Sequence, residues 1–264
     1  MKKALFYTLM FITVQLMVTY ITQGVIVAVF SDKISPDSGP VMVGVTIASS
    51  LLTIALFYGL KWSSTAPRYY RSRPWAQLFW TILAALGTLL PAAWLQEHLP
   101  PLPDLLETHM KSIISTPGGY LALGILAPLA EEAVFRGAVL RELLSTFKEQ
   151  AMSRGNRHWV AIAISALLFA LVHMNPAQMP HAFLIGLLLG WLYYRTGSIL
   201  PGVIFHIVDN TVAVVLEKLY PTNDEMSLLD LFGGNERTVT LSIIFSLFIL
   251  LPSLYQLSWR MNKG

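Results

Sequence analysis

The chain lacks cysteine and has little charge: none of its 264 residues is cysteine, and 12% are charged. Without cysteine, a disulfide framework, a Cys-ligated metal and a thiol nucleophile are excluded. Charged residues make up about 25% of ordinary soluble domains, whereas this chain is 55% hydrophobic with a mean hydropathy of +0.59. No polar stretch is long enough to bury a core of its own. The composition therefore disfavours a water-soluble fold and predicts one membrane domain over residues 1–264.

Apolar runs cover most of the chain. A helix needs about 20 mainly apolar residues to cross the hydrocarbon layer, with a working range of roughly 17–25. Eight runs meet this length or approach it: 5–30, 41–60, 76–94, 118–140, 159–173, 181–194, 199–216 and 239–257. Because the fifth and sixth runs are short, the pattern predicts an all-α polytopic bundle of about eight transmembrane helices, within a range of six to eight.

The positive net charge, +3 with a pI near 9.1, follows from topology. If the N-terminus is cytoplasmic and the loops alternate, the inner segments hold twelve Lys and Arg residues and the outer ones four. Basic residues concentrate in cytoplasmic loops, so we expect both termini in the cytoplasm, a bacterial inner membrane as the location, the lipid bilayer as a partner and no nucleic acid. The inner residues are Lys2, Lys3, Lys61, Arg68, Arg71, Arg73, Lys148, Arg154, Arg157, Arg195, Arg260 and Lys263; the outer ones are Lys33, Lys111, Lys218 and Arg237.

Two adjacent carboxylates, Glu131 and Glu132, lie inside the fourth run. A charge at the bilayer centre costs about 2.5–3.5 kcal/mol on insertion scales, so each needs a reason to be there. Adjacent helical residues point about 100° apart, and Arg136 follows Glu132 by four residues, in the favourable order for an ion pair. Glu131 then has no local partner, and an unpaired carboxylate shielded from water suits a general base. A hydrogen-bonded packing role and a proton carrier in a transporter are the alternatives.

The backbone near these carboxylates carries a proline. Pro128 removes one backbone hydrogen bond just before Glu131 and Glu132. The sequence therefore predicts a kink or a local opening of the helix at this point.

Two further polar pairs share helical faces: Phe169 with His173, and His206 with Asn210. Imidazole can take up a proton, bind a metal or donate to an oxyanion, and the Asn amide donates. Together they form a water-activating and oxyanion-stabilising set, although each histidine alone could equally be a satisfied core residue. Asp209 could orient His206 by accepting its second N–H or be solvated in a polar cavity. The remaining histidines, His98, His109, His158 and His181, lie in or beside loops and receive no role.

The axial positions of these groups can be compared at 1.5 Å per residue. His206 lies about 10 Å, Glu131 about 14 Å and His173 about 21 Å from the inner ends of their helices. We therefore expect an active-site cavity in the inner half of the membrane, with helix tilt absorbing the difference.

In this order the groups resemble the CPBP intramembrane proteases, which include the type II CAAX prenyl endopeptidases and bacterial proteins labelled abortive-infection or bacteriocin-processing. The resemblance covers roughly residues 121–210, about a third of the chain, and is typical of a catalytic core at about 118–216. It rests on Glu131-Glu132-x3-Arg136, Phe169-x3-His173, residues 190–198 and His206-x3-Asn210. Each group is weak alone, but all of them in order on separate apolar runs form a specific signal.

The resemblance implies a division of roles. Glu131 activates water together with His173, while His206 and Asn210 stabilise the tetrahedral oxyanion. Glu132, Arg136 and Phe169 support the site. The substrate would be a peptide or protein at the membrane.

The resemblance leaves the cofactor open. Family members are called metalloproteases, yet a metal-free glutamate mechanism is also proposed for them. From their chemistry, Glu131, His173 and His206 could hold Zn²⁺ with water as the fourth ligand. We favour the metal-free scheme because Asn is a poor zinc ligand and the chain has no short-spaced ligand pair.

The sequence thus predicts an intramembrane endopeptidase that cleaves a membrane-associated or hydrophobic substrate. The chain has no His-Glu-x2-His, Gly-x-Ser-x-Gly or Gly-x-Gly-Asp motif of other intramembrane proteases. A non-catalytic membrane immunity or scaffold protein is one alternative. An ion-coupled transporter that uses Glu131 as the carrier is the other, disfavoured by the lack of an internal repeat.

Overall fold

The computed structural model describes residues 1–30, 33–64, 69, 73–148, 157–220 and 227–261. Within these residues every regular element is helical, and the all-α prediction is confirmed. The helices are α1 (Lys2–Phe30), α2 (Gly39–Gly59), α3 (Trp75–Glu97), α4 (Glu107–Ser115), α5, α6 (Arg157–Leu171), α7 (Met179–Thr196), α8 (Leu200–Leu219), α9 (Leu228–Leu231) and α10 (Glu236–Arg260). Helix α5 has four consecutive segments: Tyr120–Leu126, Ala127–Val134, Phe135–Leu140 and Arg141–Lys148.

The predicted membrane spans recur in the structure. Among the described residues, five helices are long and apolar enough to cross a membrane alone, namely α1, α2, α3, α8 and α10. Helices α4 and α5 are long and apolar enough to form one span together, but the chain bends by 109° between them. The five long helices, α5 and the shorter helices α6 and α7 correspond in order to the eight predicted apolar runs. The chain is an integral membrane protein, while the orientation of its termini stays a prediction, and Arg68, Arg71, Arg154 and Lys263 lie outside the described residues.

Helix α5 changes its hydrogen-bond register twice. Its segments Tyr120–Leu126 and Phe135–Leu140 are π-helical, and the α-helical segment Ala127–Val134 between them carries Glu131 and Glu132. The local opening predicted at Pro128 is therefore observed as a π-helical turn that ends just before it. Such π turns are rare and frequently occur at functional sites.

Helices α3 and α10 pack side by side, and a glycine makes this possible. A Cβ placed on Gly87 would lie 2.7 Å from the backbone nitrogen of Leu250. The buried Ser246 hydroxyl of α10 donates to the Gly87 carbonyl at 3.2 Å. Because lipid is as apolar as a leucine side chain, helices in membranes associate through such close contacts between small residues.

Helix α7 uses two glycines to approach α6. A Cβ on Gly186 would lie 3.0 Å from the Ala166 side chain, and one on Gly190 would lie 2.8 Å from the Ile162 side chain. The buried aromatic rings of Phe135 and Phe169 join α5 to α6, with centroids 5.2 Å apart. These contacts place α5, α6 and α7 around one interior, where the charged residues lie.

We expect Gly87→Ala to destabilise the folded protein, because the added methyl group overlaps the α10 backbone. Overpacking of this kind typically costs about 1–3 kcal/mol. Thermal unfolding of the purified protein in detergent measures the effect. Gly44→Ala on α2 is the matched control, since a Cβ there meets no atom within 4 Å. Equal stability of the two variants would contradict the proposed packing role of Gly87.

Candidate active site

A buried ion pair forms the centre of the site. Arg136 Nη1 donates to Glu132 Oε1 at 2.7 Å, and the two side chains are 1% and 0% exposed. Arg136 Nη2 donates to the Gly186 carbonyl at 3.2 Å, and the guanidinium lies 4.5 Å above the centre of the Phe169 ring. The pair predicted from the four-residue spacing is therefore present, and it links α5 to α6 and α7.

Helix α8 lies directly against this ion pair. A Cβ on Gly202 would lie 2.6 Å from Glu132 Oε2, so only a residue without a side chain fits there unless Glu132 shifts. Glu132 Oε2 is buried and has no hydrogen-bond partner among the described residues. The close approach of α8 brings His206, one turn further along the helix, to the level of the carboxylates.

His206 lies between the two glutamates. Its Nε2 is 3.7 Å from Glu131 Oε2, and its Nδ1 is 3.4 Å from Glu132 Oε1. The His206 side chain is 7% exposed and the Glu131 side chain 20%. Glu131 is thus separate from the Arg136 ion pair and retains some access to its surroundings, as the angular separation of adjacent helical residues predicts.

His173 lies at the end of α6 and its protonation can be assigned from its bond. Its Nδ1 is 2.8 Å from the Phe169 carbonyl oxygen. A carbonyl only accepts hydrogen bonds, so Nδ1 carries the proton in this bond and Nε2 of the neutral ring offers a lone pair. Of the two histidines predicted at the site, His206 is the one that the structure places within ion-pair distance of Glu131.

Phe169 contacts both histidines. Its ring meets the ring of His173 edge-on at 4.9 Å and the ring of His206 edge-on at 5.7 Å. Arg136 lies over a face of the same ring, and the buried Phe169 thus joins the ion pair to the two histidines. This arrangement supports the predicted supporting role of Phe169, which stays a prediction for function.

Asn210 forms a hydrogen bond with a backbone carbonyl of α5 that lacks its usual partner within the helix. The N–H of Ala127 pairs five residues back with the Ala122 carbonyl. In the same register the Leu123 carbonyl would pair with residue 128, but Pro128 has no N–H. Asn210 Nδ2 donates to the Leu123 carbonyl at 2.9 Å instead. The amide keeps one more N–H and its oxygen for other partners.

Two serines that the sequence did not single out also hold α5. The Ser63 hydroxyl donates to the Ala133 carbonyl, and the Ser165 hydroxyl donates to the Phe135 carbonyl at 3.0 Å. Both carbonyls lie where α5 passes into its second π-helical segment. In the sequence, the only indication of this contact is that Ser165 is a polar residue within an apolar run.

Asp209 takes neither of the arrangements expected from the sequence. It neither orients His206 nor lies solvated in a cavity; its Oδ2 is 2.9 Å from Nε2 of His181, and its Oδ1 is buried without a hydrogen-bond partner among the described residues. His181, which receives no role from the sequence, therefore makes a contact that the sequence does not predict. The two residues are 28 positions apart, on α7 and α8, so sequence spacing does not reveal the contact.

The zinc alternative can be tested against the geometry. A zinc ion needs its protein ligands gathered around one point at roughly 2.0–2.2 Å each. Among the residues that the structure describes, no three His, Asp or Glu side chains are grouped to hold a metal ion. Glu131, His173 and His206 therefore do not fit a three-ligand zinc site in this arrangement.

Comparison with known proteins finds a family that resembles this part of the chain. Residues 114–212 match the family model described as type II CAAX prenyl endopeptidase Rce1-like. Over these residues, called the CPBP segment below, the chain is similar to the CPBP family. All the candidate residues from Glu131 to Asn210 fall inside the CPBP segment.

Two curated relatives each match part of the chain. The membrane-embedded CAAX protease MroQ of Staphylococcus aureus (strain USA300) is 31% identical over 102 residues, which are 38% of this chain and 39% of that relative. An uncharacterised 24.3 kDa protein of Escherichia coli is 31% identical over 98 residues, 36% of this chain and 42% of that relative. The chain thus spans about two fifths of the length of each of these relatives. No solved structure gives a significant match.

We expect Arg136→Met to destabilise the protein strongly, because it leaves the Glu132 carboxylate buried without its cation. Breaking a buried ion pair costs about 3–5 kcal/mol, whereas replacing both partners by apolar residues of similar volume is often neutral. The double variant Glu132→Leu/Arg136→Met should therefore recover most of the stability lost by Arg136→Met. Thermal unfolding in detergent measures both variants. A double variant as unstable as Arg136→Met would show that the pair does not account for the loss.

Proposed function

We propose that the chain is an intramembrane endopeptidase that hydrolyses a peptide bond in a membrane-associated or hydrophobic substrate. The observation that carries the proposal is the position of Glu131: it is partly accessible, separate from Arg136 and 3.7 Å from His206. The CPBP segment supports it, and the relative MroQ is itself named a CAAX protease. These comparisons favour a peptidase over a scaffold protein or a transporter.

In the proposed reaction Glu131 is the general base. A water molecule held between its carboxylate and the substrate attacks the carbonyl carbon of the scissile bond, and Glu131 takes up a proton from that water. Glu132 cannot serve in the same way because Arg136 holds its Oε1 and its side chain is fully buried. The adjacent carboxylates thus have different tasks.

His173 assists this step as a hydrogen-bond acceptor that orients the attacking water. With its Nδ1 proton donated to the Phe169 carbonyl, the lone pair of Nε2 is available to the attacking water. Its ring is fixed against Phe169, so the lone pair has a defined direction.

His206 and Asn210 stabilise the oxyanion of the tetrahedral intermediate. A protonated His206 donates through Nε2, and Asn210 donates through the N–H that does not bind Leu123. The intermediate then collapses: the C–N bond breaks, Glu131 returns its proton to the leaving nitrogen, and the products are a carboxylic acid and an amine. All atoms and protons are accounted for by water, substrate and these side chains.

The proposed substrate is a peptide or protein that reaches the site from the bilayer or its surface. The position of Glu131 inside an apolar helix, with its side chain only 20% exposed, favours an apolar segment over a hydrated one. Recognition of a prenyl group is not part of the proposal, because no feature of the described site selects for one.

We expect Glu131→Gln to abolish peptide cleavage while the protein stays folded, because the amide has the shape of the carboxylate but cannot accept the proton. Loss of a general base typically costs about 10²–10⁴-fold in rate. The measurement is cleavage of a quenched hydrophobic peptide by purified protein in proteoliposomes, with His173→Ala and His206→Ala beside it. Glu142→Gln, on the last segment of α5, is the control and should cleave at the wild-type rate. Undiminished cleavage by Glu131→Gln would refute the assignment, and Glu131-dependent proton flux without cleavage would favour the transporter.

We further propose that both termini face the cytoplasm of a bacterial inner membrane, since basic residues concentrate in the segments that this orientation places inside. A reporter enzyme that is active only in the periplasm should give no signal when it is fused after residue 264. The same reporter fused at residue 37, between α1 and α2, should be active. The reverse pattern would invert the topology.

A further inference from the structure

A second pair of ionisable residues joins α7 to α8 beside the site. His181 lies in the first turn of α7, and Asp209 lies on α8 three residues after His206 and next to Asn210. His181 Nε2 and Asp209 Oδ2 are 2.9 Å apart, with side chains 37% and 10% exposed. The contact connects the start of α7 to the stretch of α8 that carries both predicted oxyanion donors.

The connection between α6 and α7 is held at further points. The fully buried Asn175 donates through Nδ2 to Asp104 at 2.8 Å and accepts from the Leu105 N–H at 2.9 Å. Gln96 of α3 donates to the Ala177 carbonyl at 2.8 Å. This connection begins at His173, so its position helps to decide where the His173 ring lies.

Burial of the Asp209 carboxylate at this position has a free-energy cost. Its Oδ1 is buried and has no hydrogen-bond partner among the described residues. A buried, incompletely paired carboxylate contributes little to stability, and a neutral replacement is often tolerated or stabilising. Stability alone therefore does not account for the contact with His181.

We propose that His181 and Asp209 are positioning residues, which fix the first turn of α7, and with it the connection from His173, against the part of α8 that carries His206 and Asn210. The pair acts through its hydrogen bond and touches no reacting atom. Its effect on catalysis rests on the proposed peptidase function, whereas its effect on the distance between α7 and α8 does not.

The kinetic test compares variants that break the bond with one that keeps it. His181→Ala and Asp209→Ala should lower kcat for the quenched peptide by about 10²-fold, the typical cost of a 1 Å misplacement, with KM almost unchanged. Asp209→Asn keeps an oxygen that accepts from His181 and should restore most of kcat. The double variant His181→Ala/Asp209→Ala should be no slower than either single one, because both remove the same bond. Gln256→Ala is the control: it breaks the 3.1 Å hydrogen bond to Arg260 on α10 and should leave kcat unchanged.

The structural test does not need peptidase activity. Because the chain contains no cysteine, Leu184→Cys on α7 and Val215→Cys on α8 give a unique pair of sites for spin labels. Pulsed electron paramagnetic resonance should report one narrow distance distribution for the labelled protein that keeps His181 and Asp209. The distribution should shift or broaden with His181→Ala and with Asp209→Ala, and stay narrow with Asp209→Asn.

The outcomes separate the two proposals. If the wild-type protein cleaves no peptide, the peptidase proposal fails. The spin-label distances alone then decide whether His181 and Asp209 have the positioning role. Unchanged distances in both alanine variants would overturn that role. It would also be overturned if Asp209→Asn were as slow as Asp209→Ala, or if kcat fell only in proportion to the loss of folded protein.

Discussion

The buried ion pair between Glu132 and Arg136 is the interaction on which the rest of the site depends. Both side chains lie inside the bundle at 2.7 Å from each other, where an unpaired charge would be costly. The guanidinium also binds the Gly186 carbonyl and covers Phe169, so the pair involves α5, α6 and α7 at once. Small residues on the neighbouring helices, Gly186 and Gly202, allow this approach.

The neutralisation of Glu132 gives Glu131 its separate character. One carboxylate satisfies the cation, while the adjacent one points to a different side of the helix and faces His206 at 3.7 Å. His206 lies near a carboxylate oxygen at each ring nitrogen, whereas His173 is fixed by the Phe169 carbonyl. The site thus combines one partly accessible carboxylate with two imidazoles in different environments, and the proposed hydrolysis of a peptide bond is built on this combination.

The backbone of α5 contributes as much as the side chains do. Its two π-helical segments flank the short α-helical segment that carries the glutamates, and the bundle uses the carbonyls at these changes of register. Asn210, Ser63 and Ser165 donate to them from α8, from the residues after α2 and from α6. Asn210 therefore has a packing role in addition to the oxyanion role proposed for it.

The sequence by itself determined the helical class, the order of the eight apolar runs, the Glu132–Arg136 pair and the distinct position of Glu131. All of these follow from local periodicity, because residues four apart share a helical face and adjacent ones do not. Only the tertiary structure decided that His206 rather than His173 lies next to Glu131, that Asp209 binds His181, and that the three candidate ligands do not gather around a metal. Such contacts join different helices, and their geometry depends on glycine-mediated approach and on the register of α5, which no spacing within one run encodes.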